Sequence, residues 1–300
     1  MFNPDKSRAQ EPRPQPEAIS LLGQPLFPLV LSIQERAKLD SNLSRARIEH
    51  EQDPNDPERI IWLGRRLAYL WRYREAIAVY SQGLALHRDN YKLYRHRGHR
   101  YLTVREFDHA LADLEKAARL IQNVPDEIEP DGAPNQFNIP TSTSHSNIWY
   151  HLGLAYYLKG DFENARRSYL ACLEFSKNDD MLCAASDWLY MSLRRLGRTE
   201  EAAKALAPIR RDMNILESFA YHKRLLMYKS ELPPDSLLNV HNSSDLDIAT
   251  QGYGVGNWYL YNGQPEKARE VFQRVVQGKY WAAFGHIAAE AELKRKRLFK

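Results

Sequence analysis

A glycine and an alanine recur along this chain at a fixed separation. Gly64 precedes Ala76 by 12 residues, Gly98 precedes Ala110 by 12, and the pair returns at Gly153 and Ala165 and at Gly256 and Ala268. The first two pairs lie 34 residues apart. A large residue stands four positions beyond the alanine each time: Tyr80, Leu114, Tyr169 and Phe272, with Leu206 beyond Ala202. Loop signals fall just ahead of the alanine at Gly160-Asp161-Phe162, Gly197-Arg198-Thr199 and Gly263-Gln264-Pro265. A period of this length marks a helix pair that cannot bury its apolar face alone and must stack on its neighbours. The small residues let the two axes of a pair approach closely, and the large ones fill the space between successive pairs. The expected fold class is therefore all-α, a solenoid of helix-turn-helix units.

Other architectures find no support. Strand-like alternation of useful length is missing. So are a phosphate-binding G-x-x-x-x-G-K-[ST] loop, a nucleophile elbow and H-E-x-x-H. Gly252-Tyr253-Gly254-Val255-Gly256 follows no strand and lacks the spacing of a dinucleotide loop. The 300 residues are 43% hydrophobic and 27% charged, in the range of a folded soluble chain. Mean hydropathy is −0.60, and no apolar run approaches the roughly 20 residues needed to span a bilayer. Two cysteines, Cys172 and Cys183, exclude a disulfide framework and a Cys-only zinc site. The net charge of +4 equals the run Lys294-Arg295-Lys296-Arg297, so the remainder is balanced and nucleic acid is not an expected partner. No apolar stretch follows Met1, which predicts a cytoplasmic protein, or an exported one if a leader has been removed.

Trp149-Tyr150-His151-Leu152-Gly153-Leu154-Ala155-Tyr156 and Ala165-Arg166-Arg167-Ser168-Tyr169 resemble the two halves of the tetratricopeptide repeat, W-x2-L-G-x2-Y and A-x3-F. The register places repeats at 57–90, 91–124, 146–179, 183–216 and 249–282, with a degenerate unit at 217–248. In the fourth, Tyr190 stands where the glycine belongs. Residues 1–20 read as a flexible tail, 21–56 as an N-terminal segment and capping helix, and 283–300 as a charged capping helix with a basic tail. Residues 125–145, rich in Pro, Gly, Asn, Ser and Thr, are an insertion expected to fold over one mouth of a groove. The resemblance implies a right-handed superhelix with a concave groove, and a module that binds a peptide or protein partner.

Carrying the family's inward positions onto this chain gives a candidate ligand surface: Trp62, Arg65, Tyr69, Arg95, His96, His99, Tyr150, His151, Tyr157, Trp188, Arg194, Arg195, Tyr253 and Asn257. Aromatic residues there offer rigid contact area, and Arg and His pair with carboxylates or phosphates, so an anionic or aromatic ligand is expected. As groove-surface residues, Arg95 and Arg195 are expected to tolerate replacement without loss of stability. The family's chaperone-tail clamp uses Lys and Asn at positions occupied here by Ile61 and Arg65, so that mode does not carry over. The competing reading is an enzyme or small-molecule binder, with His96, His99, His151, His222 and Asp187 as acid–base candidates. Neither reading calls for a cofactor or a metal.

Overall fold

The computed structural model describes residues 15–238 and 245–295. Its helices are α1 Ile33–Gln52, α2 Pro57–Tyr69, α3 Tyr73–Leu86, α4 Tyr91–Thr103, α5 Phe107–Leu120, α6 Ser144–Lys159, α7 Phe162–Glu174, α8 Asp179–Arg195, α9 Thr199–Ala205, α10 Phe219–Tyr228, α11 Asp245–Tyr261, α12 Pro265–Val276 and α13 Phe284–Lys294. Among the described residues the strands are limited to a two-residue antiparallel ribbon, β1 Ala18–Ile19 with β2 Pro25–Leu26. Helix α1 packs on α2 through Leu43 and Ala46. The pairs α2–α3, α4–α5, α6–α7, α8–α9 and α11–α12 follow, each against its neighbours. The chain is an all-α helical-repeat solenoid.

Local chemistry fixes where the first helices α2, α4, α6 and α8 begin. The side chains of Asp56, Asn90 and Asn178 accept backbone N–H groups of the first turns of α2, α4 and α8, and Thr143 and Ser146 form a reciprocal capping box on α6. The turn inside each pair passes through one left-handed residue. These are Trp71 (φ 62°), Arg105 (67°), Gly160 (87°), Gly197 (73°), Ser230 (62°) and Gly263 (72°). Glycine adopts this conformation without penalty, whereas Trp71 and Arg105 carry a cost of about 1–2 kcal/mol each.

The recurring glycine has a direct steric cause. A Cβ on Gly64 would lie 2.3 Å from the Tyr80 ring, on Gly98 2.8 Å from Leu114, on Gly153 2.8 Å from Tyr169, and on Gly256 2.3 Å from Phe272. The facing residue is sixteen positions on in every case, so one contact between paired helices repeats four times. In the fourth pair Tyr190 breaks the rule. Its ring stacks on Tyr228 at 4.3 Å, and the second helix α9 is only seven residues long. In the degenerate unit α10 is followed by a single 3-10 turn, Pro234–Leu237, because Pro233 and Pro234 remove backbone donors that a helix needs.

Both ends differ from expectation. Residues 15–20, within the expected flexible tail, are ordered: Ala18 is buried and Glu17 accepts the backbone N–H of Arg74 at 2.8 Å. Positions 1–14 of that tail and 296–300 of the basic run lie outside the described residues. Helix α13 is no charged surface cap. It buries Gly285 through Glu292 and lies against α6, α11 and α12. Its small side chains permit this, since a Cβ on Gly285 would meet the Ala249 carbonyl oxygen at 2.1 Å. Its two buried carboxylates are met by arginines: Glu290 by Arg105 at 2.5 Å and Glu292 by Arg195 at 2.7 Å. Ahead of it, Trp281 packs edge-on to Trp71 at 5.1 Å and donates its indole N–H to the Phe27 carbonyl. Trp71 and Arg105 thus occupy the left-handed turn positions that other pairs give to glycine, and their side chains hold the C-terminal segment.

Candidate functional site

The C-terminal segment divides the first-helix residues into two groups. Tyr157, Trp188, Tyr253 and Asn257 are sealed, each fully buried. Tyr253 Oη donates to Tyr157 Oη at 2.9 Å, and the Trp188 indole donates to Tyr150 Oη at 2.8 Å. Phe284 of α13 packs on His99, Tyr150 and His151. Arg195 is clamped on Glu292, and Arg194 donates to Tyr190 Oη and to the Tyr261 carbonyl. Arg195 is therefore a largely covered structural partner of the buried Glu292, and its loss is expected to cost stability, contrary to the expectation from the sequence. The same correction applies to Arg95, only 8% exposed.

The second group borders open space. A cavity of about 270 Å³ lies between α2, α4 and α6 beneath the insertion. Arg65, Tyr69, Arg95, His96, His99 and Arg100 line it from the helices, and Glu129, Asp131, Thr141 and Ser142 line it from the insertion. Polar contacts hold the insertion there. Arg66 donates to the Gly132 carbonyl at 3.0 Å, Asn147 Nδ2 donates to Glu129 at 3.0 Å, and Asn135 Nδ2 donates to Glu217 at 3.0 Å. Trp62 lies beside the cavity, with the Arg65 and Arg66 guanidinium groups over its ring at 4.5 and 4.8 Å.

The cavity lining carries three arginines, Arg65, Arg95 and Arg100, and three carboxylates, Glu129, Asp131 and Glu217. Burial works against the Arg95 charge, and Glu129, at 3.1 Å, opposes that effect. Arg95 Nε is buried without a partner. Asp131 and Glu217 also line the cavity, but each accepts hydrogen bonds from the insertion's own neutral donors. A buried guanidinium needs a compensating anion. Glu129 supplies that anion for Arg95.

Three of the acid–base candidates converge and two do not. His99 and His151 rings lie 4.2 Å apart, and His96 stacks on Tyr80. Burial, followed by the nearby arginines, holds all three imidazoles well below the usual histidine range. They are neutral at pH 7 and weak as bases. Arg95 donates to His96 Nδ1 at 2.9 Å, and His151 Nδ1 donates to the Asn147 carbonyl at 2.6 Å, which fixes both tautomers. His222 is bonded to the Arg210 carbonyl, and Asp187 is paired with Arg224 at 2.8 Å, both side chains fully buried. The set does not assemble into one acid–base site.

Sequence reasoning missed Arg100, Glu129 and the carboxylates of α13. Arg100 lies outside the inward positions of a repeat. Glu129 sits in the acidic run 126–131 between prolines, a cluster inside an otherwise neutral insertion that could have signalled a cationic surface beneath it. For α13 the signal was the run of small residues around Glu290 and Glu292, a helix face suited to close packing.

The family model described as tetratricopeptide repeat matches residues 146–179, which are α6, α7 and the turns around them. The BBSome complex member BBS4 of Bos taurus is 23% identical over 202 residues, 67% of this chain and 32% of that protein. The chain thus spans about a third of the length of this curated relative. Among solved structures, YrrB, titled a TPR protein with an unusual peptide-binding site, is 18% identical with a TM-score of 0.45, covering 82% of this chain and 96% of that one. A tetratricopeptide repeat protein from Parabacteroides merdae ATCC 43184 is 15% identical with a TM-score of 0.48, covering 86% and 93%. This chain is a helical-repeat protein that carries a tetratricopeptide repeat at residues 146–179.

Proposed function

We propose that the protein is an interaction module that receives an anionic group of a peptide or protein partner in the cavity between α2, α4 and α6. The supporting observation is the buried Arg95, flanked by Arg65 and Arg100, whose charge is met by the single carboxylate of Glu129. Side chains that bracket the cavity, Tyr69 and Trp62, offer flat contact area to a chain passing over it. The acid–base reading is less well supported, because His96, His99 and His151 are neutral, buried and tied to backbone or guanidinium groups.

A peptide array probed with the full chain tests this reading. Acidic peptides should be retained in preference to their Asn/Gln counterparts, and retention should fall steeply between about 0.05 and 0.5 M salt. Arg65→Ala combined with Arg100→Ala should reduce retention at least about tenfold, the effect of losing roughly 1.4 kcal/mol of interaction. Equal retention of acidic and neutral peptides would refute the assignment.

A further inference from the structure

The acidic run of the insertion already lies in this site as a ligand would. Asp126-Glu127-Ile128-Glu129-Pro130-Asp131 passes over α4 and α6, with Ile128 in a single antiparallel bridge to Thr143. Glu127 Oε1 accepts the Tyr91 hydroxyl at 2.6 Å and lies 2.9 Å from Lys92 Nζ. Two residues on, Glu129 meets Arg95 at 3.1 Å and Asn147 Nδ2 at 3.0 Å. Extended backbone places alternate side chains on one face, so both carboxylates reach the helices together. Ile128 between them is 66% exposed.

Hydrogen bonds tie the run to the start of α6: the Glu129 N–H donates to the Ser142 carbonyl at 3.1 Å, and the Ser144 and His145 N–H groups donate to the Glu127 carbonyl at 2.9 Å and to Asp126 at 3.1 Å; apolar packing adds little. Space remains beside it: the cavity of about 270 Å³, and a second of about 130 Å³ bordered by Trp62, Lys92, Ile128 and Glu129. Ile128 faces solvent while the Glu127 and Glu129 carboxylates are bonded. Charge and hydrogen bonds hold the run, and the same chemistry presented by another chain can replace it.

We propose that residues 126–131 are a built-in stand-in for the partner, and that the partner is an extended segment with two carboxylates two residues apart, an acidic-x-acidic peptide seated across α4 and α6. This rests on the reading of the cavity as an anion receptor and adds the register and the competition. A tethered segment competes at an effective concentration on the order of millimolar. Against a peptide with an intrinsic dissociation constant of about 0.1 mM, that weakens apparent binding about tenfold.

The probe is a fluorescein-labelled peptide copying residues 125–132, with a control peptide carrying Gln at both Glu positions. Anisotropy titrations compare the full chain with its E127Q/E129Q variant. A second variant, in which residues 126–131 are replaced by six Gly and Ser residues, serves where the first fails to fold, as judged by circular dichroism. The variants should bind the probe about tenfold more tightly than the unaltered chain and should ignore the control peptide. Equal affinity for all three proteins, failure of both folded variants to bind, or equal binding of the control peptide overturns the proposal. If acidic peptides are still retained on the array with loss upon Arg65→Ala and Arg100→Ala, the receptor reading stands and only the stand-in role of 126–131 falls.

Discussion

Replacing Gly153 by alanine probes the contact that repeats through the stack. In an isolated helix interior the change would stabilise by about 1 kcal/mol, because alanine is the better helix former. Here the new methyl would sit 2.8–2.9 Å from three atoms of the Tyr169 ring, against an ordinary contact beyond 3.4 Å. The ring cannot retreat. Tyr169 is fully buried, edge-on to Tyr150 at 6.0 Å and stacked on Trp188 at 6.4 Å. Relief requires α6 and α7 to move apart by about half an ångström, an overpacking cost of about 1–3 kcal/mol. Less the helical gain of about 1 kcal/mol, we expect net destabilisation of up to about 2 kcal/mol, read by urea denaturation. The sign should reverse once the ring is gone. In a Tyr169→Ala background, itself destabilised by about 3–5 kcal/mol, Gly153→Ala should stabilise by up to about 1 kcal/mol. A Gly153→Ala that stabilises the otherwise unaltered chain by about 1 kcal/mol, the full helical gain, would refute the close-approach argument, and with it the register of the repeats.

Three further outcomes follow from the buried groups. Arg195→Ala leaves Glu292 fully buried with Arg295 as its remaining cation, so it should destabilise by about 3 kcal/mol in the same assay; a change under about 0.5 kcal/mol would mean that α13 does not depend on this pair. Stability should also fall as pH drops below about 6.5. His96, His99 and His151 bind protons less readily folded than unfolded, so they contribute nothing above that pH and each costs up to about 1.4 kcal/mol per unit below it. A separate loss is expected at lower pH. Burial pushes Glu290 up, but hydrogen bonds from His286 and Arg105 outweigh it and hold the carboxyl at about 2, so its stabilisation is present above about pH 4.5 and lost toward pH 2. Denaturation midpoints at pH 7.5, 5.5 and 3.5, repeated with His99→Gln and Arg105→Gln, separate the two windows; a flat profile between 7.5 and 5.5 would contradict the burial of the histidines.

The helix pairs were legible because a steric contact that must be met in every unit leaves a residue at a fixed place. Gly64, Gly98, Gly153 and Gly256 face Tyr80, Leu114, Tyr169 and Phe272, and the period follows from that alone. What covers the first helices was not legible, because it is written in contacts that do not repeat. Glu290 meets Arg105 across 185 positions, and Trp281 meets Phe27 across 254. No local pattern predicts such pairings. The family's inward positions therefore gave a mixed list. Arg65, Tyr69, Arg95, His96 and His99 border a cavity, whereas Tyr157, Trp188, Tyr253 and Asn257 lie in the interior beneath α13. The aromatic richness of those positions, read as a ligand surface, is in the second group the composition of a core. Trp71 and Arg105 carried a readable clue: they replace glycine at a left-handed turn, and such a substitution is retained where the side chain has a partner.

Hydrogen exchange measured with and without a saturating acidic-x-acidic peptide tests the central claim most directly. The account predicts slower exchange in residues 91–103 and 144–151, faster exchange in 126–131 as that run is displaced, and no change across α7 and α9. Protection confined to α7 and α9, or no protection anywhere at saturation, would contradict a binding site built on the first helices.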